Sequence, residues 1–125
     1  MFVNAALNRP GAKPGQYPSG GPLPHLFDVW KAAAPHIDLL SPDIYLPEFE
    51  HWCHAYDRID NRLFIPEATS GPECAVHALY AIGATRSLGF SPFAVERIDP
   101  EQSLLPACYR ALRALDREIA RCRAA

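Results

Sequence analysis

Several signatures are missing from this sequence. Its four cysteines, Cys53, Cys74, Cys108 and Cys122, never form a CxxC pair, which excludes a zinc knuckle and a thioredoxin-type redox motif. They read as thiols of the core or of helix faces and leave the redox compartment open. Basic residues are not in excess: 12 Lys and Arg stand against 14 Asp and Glu, a formal charge of −2. The basic stripe of a nucleic-acid partner is therefore lacking. The longest stretches without Asp, Glu, Lys or Arg, residues 14–27 and 74–85, fall short of the roughly 20 apolar residues of a membrane span. The opening Met1-Phe2-Val3-Asn4 shows neither the basic nor the apolar segment of a secretory leader. No membrane is expected as a partner, and the sequence leaves the native compartment unassigned.

What is present is a chain of 125 residues, 49% hydrophobic and 21% charged, punctuated by 13 Pro and 7 Gly. That length fits one domain with a buried core. Between the Pro and Gly breaks, two periodicities alternate. Residues 2–8 read as a strand, with Val3, Ala5 and Leu7 on one side and Asn4, Ala6 and Asn8 on the other. A Pro/Gly-dense loop follows, and a helix is expected over 23–34, ended by Pro35. Residues 37–45 give a second strand, 47–56 a short helix, 63–68 a third strand, 73–84 a helix and 89–96 a fourth strand. The last helix, over about 102–123, repeats Leu105, Cys108, Leu112, Leu115, Ile119 and Cys122 at spacings of three and four.

Four strand–helix units imply a parallel sheet. At about 30 residues per unit they have the size of half a (β/α)8 barrel. The competing architecture, a complete doubly wound domain, calls for a Gly-rich phosphate loop after a strand, and none is found. The expected fold is therefore α/β, one partial barrel domain over 1–125. Its open strand edges call for a complementary half-barrel as partner.

In a barrel, catalytic groups stand at the carboxyl ends of the strands. Glu67 ends the third strand, and alternation assigns it the side of Leu63 and Ile65. There a carboxylate suits nucleophilic cleavage of a glycosidic bond; the plainer alternative is a surface Glu at a strand end. Tyr45 ends the preceding strand, where its phenol can donate to Glu67 and fix the carboxylate. Asp43 lies one layer deeper on that side, either in the site or bracing loop backbone. Glu96 and Glu48 are placed to face the mouth. In the long loop, Tyr17 could stack on a sugar, with Asn8 and Arg9 bonding hydroxyls, or the loop serves only as a rigid rim. His51 and His54 lack an evident third ligand, so no metal and no cofactor is assigned. Trp30 and Trp52 read as packing residues of helices.

Five ordered blocks add specificity: Phe2-Val3-Asn4-Ala5-Ala6-Leu7-Asn8-Arg9-Pro10-Gly11, Tyr17-Pro18-Ser19-Gly20-Gly21-Pro22, Pro42-Asp43-Ile44-Tyr45, Phe64-Ile65-Pro66-Glu67-Ala68 and Leu88-Gly89-Phe90-Ser91-Pro92-Phe93. Together they resemble the C-terminal half of the catalytic barrel in bacterial β-galactosidase-like glycoside hydrolases of families 35 and 42. The resemblance implies that the four strands correspond to barrel strands five to eight. It makes Glu67 the nucleophile of a retaining hydrolase acting on β-galactosides or related glycans, without a cofactor. The acid/base Glu of that clan, commonly in an Asn-Glu pair on strand four, has no counterpart, since the sequence contains no Asn-Glu. The chain alone is thus expected to be a truncated hydrolase that does not turn over aryl β-galactosides. A carbohydrate-binding remnant and a subunit docking on a chain that supplies strands one to four are the alternatives.

Overall fold

The structure, a computed structural model, describes residues 1–13, 15–16 and 18–124. Three parallel strands form one open sheet: β1 (Phe2–Ala6), β2 (Leu39–Ile44) and β3 (Glu67–Ala68), in the order β1-β2-β3. Between β1 and β2 the chain makes a 3-10 turn at Pro24–Leu26 and helix α1 (Phe27–Ala33); α2 (Phe49–Tyr56) joins β2 to β3. After β3 come α3 (Cys74–Gly83), a 3-10 turn at Val95–Arg97, α4 (Leu105–Ala114) and α5 (Asp116–Ala124).

This is not half of a (β/α)8 barrel. Among the described residues there are five α-helices and only three short strands, and four βα units are not formed. Two prolines explain the shortfall. Residues 63–68 do not form one strand, because the chain bends at Pro66 and only Glu67 and Ala68 join the ladder. Pro66 offers no N–H and restricts the residue before it. Residues 89–96 were expected as the fourth strand, yet they make one isolated parallel bridge, Phe90 to Ile65. There the Ser91 N–H donates to the Ile65 carbonyl at 2.9 Å and the Phe93 N–H to the Ala68 carbonyl at 2.8 Å. Two residues on one side thus span three on the other, so the register slips at the Pro66 bend. Pro92 cannot donate, and Ala94, at φ 52°, turns the chain out of the sheet.

Pro42 sits in the central strand without harm. The Leu40 and Ile44 backbone groups face the β3 side, since Thr69 N–H donates to the Ile44 carbonyl at 3.1 Å. Alternation along the strand turns the nitrogen of Pro42 the same way. The β2–β3 ladder begins only at Asp43–Glu67, so no partner awaits the missing donor. Deeper in the strand, buried Asn61 replaces a neighbouring strand: its Oδ1 accepts from Leu40 N–H at 2.8 Å, and its Nδ2 donates to the Leu40 and Tyr56 carbonyls, each at 2.9 Å.

One face of the sheet carries the core. Ala5, Leu40, Ile44, Leu63, Ile65 and Ala68 pack there with Phe27, Phe49, Cys53 and Tyr56 from the helices. The small residues Ala75, Ala78 and Ala81 of α3 let α4 approach, with Leu105, Cys108 and Leu112 as its buried stripe. The single final helix expected from periodicity divides at Leu115, which is exposed and ends that stripe. All four cysteines are free, Cys122 exposed and the others buried. The opposite face of the sheet is open: Phe2, Asn4 and Tyr45 are exposed, and Asp43 and Glu67 half-buried. Beside it the loop after β1 returns at Gly20, whose N–H and carbonyl pair with Ala6 at 3.1 and 3.0 Å. Gly21 then lies so close that a Cβ there would sit 2.4 Å from the Asn4 carbonyl oxygen, at φ +84°. Only glycine fits that position.

Candidate functional site

The carboxyl ends of β1 and β2 and the start of β3 surround a cleft of about 220 Å³ lined by Ala6, Leu7, Arg9, Pro18, Asp43, Tyr45, Leu46 and Glu67. Glu67 reaches it by a route the sequence did not predict. Leu63 and Ile65 are fully buried in the core, whereas Glu67 stands on the open face with Asp43 and Tyr45. Alternation fails because the bend at Pro66 reverses the phase of the strand.

The Tyr45 phenol donates to Oε1 of Glu67. Burial first, then the hydrogen bond and negative charge of Glu67, then the charge of Asp43, push this phenol well above the ordinary tyrosine range. It therefore remains a donor at every physiological pH, and its hydrogen bond fixes the rotamer of the carboxylate. Asp43 is the register partner of Glu67 on the adjacent strand. Its Oδ1 accepts from Nδ2 of Asn4 at 2.9 Å. Burial, reinforced by the charge of Glu67 and opposed by the Asn4 hydrogen bond, pushes Asp43 up to about 6. Two carboxyl groups on neighbouring strands are thus set in different environments, one bonded to a phenol and one to an amide.

The other candidates separate. Arg9 lines the Glu67 cleft, but Asn8 faces a second cavity of about 310 Å³ with Leu23, Pro24, His25, His51, Trp52 and Ala55. Tyr17 lies outside the described residues. Glu96 is not at a strand end: it belongs to the 3-10 turn Val95–Arg97, is mostly exposed and pairs with Arg97 at 3.8 Å. Glu48 lines a groove between α2 and α3 with Phe49, His77 and Tyr80. His54 Nε2 is 2.9 Å from the Tyr80 hydroxyl, while His51 stands edge-on to Trp52. Among the described residues no group of three or more His, Cys, Asp or Glu could hold a metal ion, and no helix is long and apolar enough to cross a membrane.

Asn4 is the residue that sequence reasoning missed. Alternation placed it on the face opposite Val3 and Ala5, yet nothing in the sequence reveals that the β1–β2 register sets Ala6 against Asp43, bringing Asn4 within reach. The chain matches no protein-family model and no curated protein.

Proposed function

We propose that the chain carries the nucleophile of a retaining glycoside hydrolase acting on β-galactosides or related glycans, with Glu67 attacking the anomeric carbon. The observation that supports this best is the Tyr45 phenol bonded to the Glu67 carboxylate at the rim of a cleft fed by neighbouring parallel strands. It matches what the five sequence blocks imply, and it requires no closed barrel. Arg9 in the cleft offers donors to sugar hydroxyls. No cofactor takes part: the Glu67 oxygen bonds to the anomeric carbon as the glycosidic bond breaks, and water later hydrolyses the ester. A retaining cycle also needs a carboxyl group that protonates the leaving oxygen. The resemblance puts that group in an Asn-Glu pair, which these residues do not contain.

The test separates the nucleophile from the missing acid. A dinitrophenyl β-galactoside carrying fluorine next to its anomeric carbon leaves without protonation and traps the glycosyl-enzyme. Peptide mapping should find one sugar on Glu67, and Glu67→Gln should abolish it. Ordinary aryl β-galactosides should not turn over. Sugar binding with no label on Glu67 would instead make the chain a carbohydrate-binding module.

A further inference from the structure

The cleft holds a carboxyl group that this reaction does not consume. Asp43 and Glu67 are paired in register, which sets their strands about 4.8 Å apart, and both line the same cleft. Asn4 grips Asp43 from β1, the strand on the far side from Glu67. Glu67 has its own donor in Tyr45, so the two carboxyl groups compete for none. We infer that Asn4 and Asp43 form a positioning pair for Glu67, in which Asp43, held by Asn4, sets the electrostatic surroundings of the attacking carboxylate. Asp43 then acts by its charge beside Glu67 and does not bond to the sugar. The inference rests on the assignment of Glu67 as nucleophile.

The groups facing Asp43 are few. Asn4 comes from β1, Glu67 from β3 and Tyr45 from just beyond β2; Tyr56 of α2, in the core behind the sheet, has its phenol raised by burial and then by the Asp43 charge. Arg9 lines the cleft they share. Tyr45 and Tyr56 stay neutral, and the charge that acts on Asp43 is that of Glu67. With Asp43 pushed up to about 6, it is neutral in mild acid and adds a second negative charge beside Glu67 in the cleft at neutral pH. The transition state of glycoside cleavage resembles an oxocarbenium cation, and a nearby fixed anion lowers its energy. Ionisation of Asp43 therefore speeds the attack by Glu67.

The experiment follows the labelling rate of Glu67 by the activated fluorosugar against pH, using the full chain. The rate should rise about tenfold as Asp43 ionises. In Asp43→Asn that rise should be absent. Asn4→Ala removes the bond that lowers Asp43 and should move the midpoint to higher pH. A carbon-13 carboxyl titration gives a second readout: Glu67→Gln should lower the Asp43 midpoint. Identical pH profiles in wild type and Asp43→Asn, or an Asp43 midpoint unmoved by Glu67→Gln, would overturn the inference while a labelled Glu67 kept the nucleophile. Absence of label at every pH removes the nucleophile assignment and this inference with it.

Discussion

The two faces of the same small sheet obey different rules. On the helix-facing side Leu40, Ile44, Leu63 and Ile65 are at most 1% exposed, and each earns its place by volume. On the open side the exposed Asn4 and Tyr45 and the half-buried Asp43 and Glu67 bond to one another in two side-chain pairs. Alternation along a strand separates packing from chemistry only while the strand stays regular, and the Pro66 bend shows how one residue exchanges the two roles.

Mutations should keep the faces apart. The largest expected effect on chemistry is Glu67→Gln, which should remove fluorosugar labelling altogether with a stability change under about 1 kcal/mol. On the other face, Ile65→Ala should cost about 2–5 kcal/mol in urea unfolding. Asn61→Leu should follow closely at about 2–4 kcal/mol, because it strips the Leu40 N–H and carbonyl of their buried partner. Labelling by the surviving folded fraction of either variant should be unchanged. If Ile65→Ala instead slowed labelling of folded protein, the separation between the faces would fail.

A smaller effect concerns pH. Asp43 has a folded pKa raised to about 6 by burial and by Glu67, above its value in the unfolded chain, so between about pH 4 and 6 the native state binds more protons than the unfolded state. Native stability then falls as pH rises through that window. Asp43→Asn carries no such penalty, and at neutral pH it should be more stable than wild type by about 1 kcal/mol, after allowing for solvent screening of a half-exposed group. Below about pH 4 the difference should vanish. Urea midpoints at the two pH values measure it, and equal differences at both would show that Asp43 is not the titrating group. Smallest of all, Glu96→Ala should leave labelling unaltered, since Glu96 pairs with Arg97 away from the cleft.

Local patterns were readable in the sequence because their causes are local. Pro35 follows the end of α1, and the spacing of Leu105, Cys108 and Leu112 marked the buried stripe of α4. Tyr45 and Glu67 were legible as neighbours since each follows an apolar extended run. The strand count was not legible. Residues 89–96 have the composition of a strand, but a ladder requires matching spacing on both chains, and the bend at Pro66 sets three residues against two. Sizing the fold by units of about 30 residues therefore counted a strand that does not form, and with it misplaced Glu96. Asn61 escaped notice for a related reason: a lone Asn between Asp60 and Arg62 looks like turn polarity, and only the fold reveals that its amide substitutes for a strand.

The mutual pairing of Ala6 and Gly20 ties the lobe after β1 at its base, and Gly21 locks that base against the Asn4 backbone. Such a lobe can be lengthened, shortened or exchanged between its anchors without disturbing the sheet. Because Arg9 and Pro18 come from it and line the cleft, changes between its anchors reshape one wall of that cleft while Asp43, Tyr45 and Glu67, held by the sheet, stay where they are.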